Sequence, residues 1–259
     1  MRFLYIGDVV GRPGRAAVTR LVPKLRTELN LDAVVVNCEN AAAGKGITPE
    51  IADALLEEAD VLTSGNHIWQ YRTIEPYLAR EPRLVRPANY PNAPGRGSYV
   101  LTLSDECKLG IIQVEGRVFM RTLDCPFAAI ERELKTMPGV KCIFIDVHAE
   151  ATSEKQAIAW HFDGQVSAVL GSHTHVPTAD DRILPGGTAY QSDVGMTGPY
   201  DSVIGMNVAS AIGRFLTQRH TPHDVATANV WLCGAVVDID EDTGKARSIE
   251  RVKRIVEVG

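Results

Sequence analysis

The stretch RFLYIGDVVGRPGR, residues 2–15, decides the fold. RFLYI (2–6) reads as a short β-strand. It breaks at Gly7-Asp8, and a helix opens near Pro13, a favoured first-turn residue. AVVVN (33–37) repeats the theme with almost unbroken apolarity, as a strand covered on both faces requires. Thr48-Pro49-Glu50 opens the next helix with an N-cap, an N1 proline and an early acid, and VLTSG (61–65) is a third strand.

Further along, RPANYPNAPGRGSYV (86–100) is a long loop leading into an edge strand. LGIIQV (109–114) and KCIFIDV (141–147) are strands around a helix near 126–136. Ser153 and Gln156 suggest a capping box for the helix SEKQAIAWHF. VSAVLGS (166–172) and TAYQSD (188–193) are further strands, and a helix is expected near 207–219. Residues 229–258 close the chain as a hairpin turning at Glu241–Gly244. No repeat, low-complexity tract or linker interrupts the pattern, so residues 1–259 are expected to form one α/β domain. Two sheets packed face to face, with helices outside, accommodate both the early βα units and the late hairpin.

At 259 residues the chain is long enough to bury a sizeable core. Its formal net charge of -5 gives no sign of a polyanion-binding surface, so no stable nucleic-acid partner is expected. No apolar run approaches the ~18 residues of a membrane span, and the N-terminus lacks a signal-peptide pattern. The five cysteines form no CxxC pair, which reads as reduced thiols in a cytoplasmic protein.

Chemistry collects where strands end. Asp8 follows the first strand, Glu39 and Asn40 the second, and Asn66 and His67 the third. KCIFIDV leads into His148, and VSAVL into His173 and His175. Ligand sites of α/β sheets lie outside the strands' C-terminal ends, so these residues are expected to converge. The mixed nitrogen and oxygen set suits Fe, Mn, Zn, Co or Ni better than Mg or Ca. Asp8, Glu39, Asn40, Asn66, His148, His173 and His175 are more ligands than one ion needs; with one bridging carboxylate they fit two. Two divalent ions would more than neutralise the two acids, leaving charge to bind a hydroxide and a phosphate oxyanion. His173 and His175 alternate, so a continuing strand would turn both to one face.

Each motif alone has a plainer reading. Asp8 suits a helix cap, Glu39-Asn40 a solvated loop, and Asn66 a turn; only their parallel placement favours metal. AAAGKGIT is not a P-loop, because the preceding glycine and the Ser/Thr are missing. Cys38 is read as a buried small hydrophobe, and His161, His220 and His223 as surface or packing residues. Arg12, Lys45, Arg117 and Lys155 are candidates for phosphate contact, Arg117 foremost, and Asp180 and Asp193 for orienting histidines.

Taken together, GD, GNH, a later lone His and GxHxH resemble the calcineurin-like metallophosphoesterases. The longer wording GDVVGRPGR, NCENAAAGKGIT, SGNHIW, DVHAEATSEK, GSHTHVPTAD and QSDVGMTGPYDSVIG is similar to the YmdB-like branch, up to about residue 206. The chain lacks the Asp-x-His common at strand one of the broader group; Val9 and Val10 follow Asp8. The resemblance implies a four-layer α/β/β/α sandwich of two mixed sheets. It implies that Asp8, Glu39, Asn40 and His175 hold one metal, and Glu39, Asn66, His148 and His173 the other, with Glu39 bridging. His67 would act as general acid at the leaving oxygen. The implied activity is phosphodiester hydrolysis by a metal-bridging hydroxide, on 2′,3′-cyclic nucleotides or related small substrates, with iron or manganese foremost. The late hairpin and the resemblance tilt towards a homo-oligomer. A phosphomonoesterase or RNA nuclease, and a regulatory nucleotide or metal sensor with incidental hydrolysis, are the alternatives.

Overall fold

Strand β1 (Arg2–Ile6) runs parallel to β2 (Ala33–Asn37), which runs parallel to β3 (Val61–Thr63). Helices α1 (Gly11–Glu28) and α2 (Pro49–Leu56) make the crossovers between them. On its other side β1 pairs antiparallel with β11 (Val230–Ile239), which carries β12 (Ala246–Ile255) in the closing hairpin and meets the short β10 (Gly198–Pro199). This is the first six-stranded mixed sheet. The second has the order β4-β5-β6-β7-β9-β8. Its parallel centre is β5 (Lys108–Glu115), β6 (Cys142–His148), β7 (Ala168–Ser172) and β9 (Ala189–Gln191). The antiparallel edges are β4 (Ser98–Thr102) and β8 (Arg182–Ile183). The structure is a computed structural model and describes residues 1–104, 107–220 and 224–256; His223 lies outside them.

The period of two along each strand builds the layers. Leu4, Ile6, Val34, Val36 and Leu62 face outward onto Val18, Val22 and Leu25 of α1 and Leu55 of α2. Their neighbours Phe3, Tyr5, Val35 and Val61 face inward onto Ile111, Phe144 and Leu170 of the second sheet. The far side of that sheet, with Ile112, Ile145 and Val169, is covered by Ile130 of α4 (Pro126–Leu134) and Ile158 of α5 (Thr152–His161). Three apolar interfaces between helix, sheet, sheet and helix make the expected α/β/β/α sandwich. Phe144 locks the middle one, its ring 5.2 Å from Phe3 and 4.8 Å from Tyr5. Each such aromatic pair adds about 0.5–1.5 kcal/mol beyond its burial.

The Pro-rich loop crosses from the first sheet to the second. It wraps around the Arg86 guanidinium, which donates to the carbonyls of Pro87, Ala93, Pro94 and Gly95. The local expectations hold less well. Helix α5 begins at Thr152 with Ala151 as its N-cap and no side-chain cap bond, so Ser153 and Gln156 form no capping box. Strand β7 stops at Ser172, and His173 and His175 adopt φ of +97° and +67°. They therefore do not share one strand face as the alternation suggested. Helix α3 (Ile74–Arg80) and the 3-10 turn Ile68–Gln70 are too short for a periodic signal.

Candidate functional site

The inner faces change character towards the strands' C-terminal ends. Beyond the Phe3–Phe144 layer, the inward positions become Asn37, Gln113, Asp146 and Ser172, all fully buried. These four are satisfied by one another and by the backbone of Ser64 and Glu39. Asn37 Nδ2 donates to Asp146 Oδ2 at 3.0 Å, and Ser172 Oγ donates to Asp146 Oδ1 at 2.8 Å. Gln113 donates to the Ser64 carbonyl, and Asn37 Oδ1 accepts the Glu39 N–H at 2.9 Å. This polar layer is the floor on which the expected site residues stand.

Those residues come together. Asp8 and Glu39 are buried, at 0% and 1% exposure, and each keeps one carboxylate oxygen without a hydrogen-bond partner, Asp8 Oδ1 and Glu39 Oε2. Their other oxygens accept backbone N–H groups, of His173 for Asp8 and of His67 for Glu39. Around them, His148 Nε2 lies 2.9 Å from Asn66 Oδ1, 3.1 Å from His173 Nδ1 and 3.8 Å from Glu39 Oε1. His175 Nε2 lies 3.2 Å from Asn40 Oδ1.

The outer partners assign the tautomers that the rings would take as metal ligands. Ser172 gives its proton to Asp146, so its oxygen accepts from His148 Nδ1–H at 2.9 Å, leaving Nε2 bare. His175 Nδ1–H donates to the Ile204 carbonyl at 2.8 Å, leaving Nε2 bare beside Asn40. His173 Nε2 faces Glu150 Oε2 at 3.1 Å, so its proton belongs there and Nδ1 points at His148. Three rings, each anchored through one nitrogen and presenting the lone pair of the other, are arranged as metal-ligating histidines are.

Burial dominates the electrostatics. It pushes the Glu39 carboxyl well above its usual range and raises Asp8, with His175 opposing the shift at Asp8. It holds His148 well below the ordinary imidazole range, helped by the neighbouring His173, and lowers His173 likewise. The His148 and His173 rings are thus held neutral, as ligands must be, while burial leaves the Asp8 and Glu39 carboxyls poorly solvated. Unpartnered carboxylate oxygens, carboxamide oxygens and bare imidazole nitrogens fit divalent transition ions. The fit is one of donor chemistry: among the described residues, no group of three or more His, Cys, Asp or Glu side chains stands close enough to hold a metal ion as placed.

The site opens into a cleft of about 380 Å³, lined by Glu39, Asn40, Asn66, His173 and His175. His67 and Lys45 also line it. The other basic candidates do not. Arg117 is exposed on the loop after β5, its N–H donating to Glu154, and Arg12 is exposed on α1. Lys155 is buried and paired with Asp193 at 2.9 Å. Asp193 accepts from Thr174 and Asp180 from Ser192, so each braces backbone or hydroxyl and neither touches an imidazole. Ser172, Glu150 and the Ile204 carbonyl orient the rings instead; they lie within GSHTHVPTAD, DVHAEATSEK and QSDVGMTGPYDSVIG, but sequence reasoning did not single them out. Cys38 is buried, its thiol raised well above its usual range by desolvation. His161 packs on Phe127 and Phe162, and His220 is exposed. Gly65 of the GNH motif is demanded by packing: a Cβ there would run into the His148 ring.

Comparison with known proteins places the chain in a family. A family model described as YmdB-like protein matches residues 4–252. A 2′,3′-cyclic-nucleotide 2′-phosphodiesterase of Bacillus subtilis (strain 168) is 49% identical over 256 residues, covering 97% of this chain and 96% of the relative. The solved structure of a hypothetical protein from Thermus thermophilus superposes with a TM-score of 0.92 at 42% identity, covering 98% of this chain and 99% of the other. That of a novel phosphatase from Mycoplasma pneumoniae gives 0.92 at 32%, covering 98% and 93%. Matched nearly end to end in both sequence and fold, the chain belongs to the YmdB-like family.

Proposed function

We propose that this chain is a metal-dependent phosphodiesterase that hydrolyses 2′,3′-cyclic nucleotides or closely related small diesters. The observation that carries the reading is that Asp8 and Glu39 each keep a buried carboxylate oxygen without a partner in the same cluster as three histidines, each anchored through one ring nitrogen. The similarity to a relative named for that activity supports the substrate class. In this reading Asp8, Glu39, Asn40 and His175 hold one ion, and Glu39, Asn66, His148 and His173 the other. Two bound divalent ions supply charge for the phosphoryl oxygens and lower the pKa of water to near neutrality. The donor set favours iron or manganese over magnesium.

The chain's own residues do the rest. Glu39 is tied through His67 N–H, which sets that residue at the cleft wall. From there its imidazole gives a proton to the departing ribose oxygen. Lys45 stands at the same cleft and adds positive charge for a non-bridging oxygen. Residues 1–259 act as one domain. Five free thiols suit a reducing cytoplasm, and no helix among the described residues is long and apolar enough to cross a membrane. Helix α6 (Val208–Thr217) leaves Phe215 and Leu216 at 72% and 80% exposure, which supports a homo-oligomer.

The test is hydrolysis of an aryl phosphodiester and of a 2′,3′-cyclic nucleotide after chelation and after return of Mn²⁺, with an aryl monoester alongside. Diester activity that disappears and returns is expected. His67→Ala should keep its metal and lose roughly 10²–10⁴-fold in turnover. Faster monoester than diester hydrolysis, or no turnover with metal bound, refutes the reading.

A further inference from the structure

Val203 to Met206 closes a two-residue hairpin turn. The N–H of each donates to the other's carbonyl at 2.9 Å, and the central residues Ile204 and Gly205 have φ of +46° and +96°. Positive φ at both central positions is the type I′ signature, which selects Asn-Gly, Asp-Gly or Gly-Gly. A β-branched residue is among the least suited to the first position. The surroundings hold it there. The Gly205 N–H donates to Ser202 Oγ at 2.9 Å, its carbonyl accepts from Ala226 N–H at 3.0 Å, and a Cβ on it would lie 2.8 Å from Val10. The Ile204 carbonyl accepts the His175 ring proton.

All these ties use backbone. The Ile204 side chain is 52% exposed, so the fold gains little by placing isoleucine where asparagine or glycine fits. Strain kept without a folding return points to a ligand. Ile204 lines the cleft together with Val10 and Met206, and none of the three side chains has a hydrogen-bonding N or O. The His175–Ile204 bond fixes this wall next to the polar floor.

We propose that Ile204 and Met206 form the face on which the nucleobase of the substrate rests; this inference depends on the cyclic-nucleotide reading above. With phosphate on the floor, the sugar carries the base towards the apolar wall. A flat base buries its face on the isoleucine methyls and the polarisable methionine sulfur. A wall without polar side chains reads the face and not the edge. The four bases should therefore be accepted to within a few-fold.

The experiment compares Ile204→Asn and Ile204→Gly with the parent, each loaded with Mn²⁺. It measures kcat/KM for the four nucleoside 2′,3′-cyclic phosphates and for 1-O-methylribose 2′,3′-cyclic phosphate, which has no base. The preference for nucleoside over baseless substrate should fall about tenfold in both variants, through KM. Melting temperature should stay level or rise by roughly 2–4 °C as the turn gains a residue it suits. An unchanged preference overturns the proposal. So does a fall in melting temperature, which would make Ile204 structural, or a smaller particle by sedimentation, which would assign it to a subunit contact. If the parent hydrolyses none of these diesters with metal bound, the cyclic-nucleotide reading fails and takes this one with it; an active parent with unaltered variants sinks this one alone.

Discussion

Replacing Lys155 by methionine should loosen the candidate metal site from below. Lys155 is 1% exposed, and its ammonium donates to Asp193 Oδ2 at 2.9 Å and to the Ser172 carbonyl at 2.7 Å. Asp193 Oδ2 also accepts the Thr174 N–H at 3.0 Å and hydroxyl at 2.8 Å, and its Oδ1 accepts Gly195 N–H at 2.9 Å. This buried pair braces the one segment that carries two histidines in left-handed backbone conformations. Removing one partner of such a pair leaves the other charge buried, at a cost of about 3–5 kcal/mol. For a chain of this length that corresponds to a melting temperature lower by roughly 6–20 °C. With Thr174 less firmly held, His173 and His175 should lose register, and metal affinity should drop about 10–100-fold. Thermal unfolding followed by circular dichroism, with metal titration at a temperature where the variant is folded, reads both effects. The double variant Lys155→Met/Asp193→Leu should recover part of the melting temperature, since no lone charge remains, but not the metal affinity. A single variant that melts within ~2 °C of the parent with unaltered metal binding would refute the argument.

Gly65→Ala should displace the His148 ring, because the added carbon would overlap it; metal stoichiometry by elemental analysis should fall, at a stability cost of roughly 1–3 kcal/mol. Glu115 is buried, keeps Oε1 without a partner, and burial raises its carboxyl to about 7. The folded state thus binds its proton more tightly than the unfolded chain, whose carboxyl titrates near ~4.3. That contribution is complete below the unfolded value and is lost as pH rises through about 7. Glu115→Gln should therefore raise the melting temperature relative to the parent more at pH 8 than at pH 5; an equal or opposite difference would contradict this.

The strands were legible because their cause is local. AVVVN and KCIFIDV each carry an apolar run, Ala33–Val36 and Cys142–Ile145, and each residue of β2 and β6 is buried. The donors were legible because they follow strand ends, a place the fold class reserves for ligands. Helix starts were less so. Ser153 matches a capping pattern, yet the helix begins one residue earlier, since cap choice is worth only about 1 kcal/mol and packing of Ile158 and Lys155 overrides it. Lysines near motifs were ambiguous for a similar reason. Lys45 and Lys155 flank site motifs alike, but one lines the cleft and the other neutralises Asp193 inside the fold.

The sequence by itself determined the alternation of strands and helices, the two-faced burial of the central strands, and which seven side chains have donor atoms to offer. These are properties of residue type and short-range spacing. Only the tertiary structure decided which nitrogen of each histidine faces inward, because the acceptors are Ser172 for His148, Glu150 for His173 and a strained carbonyl at Ile204 for His175. It likewise decided that Asp8 and Glu39 keep bare oxygens in a desolvated layer. Tautomer, desolvation and orientation arise from groups far apart in the chain, and no local pattern encodes them.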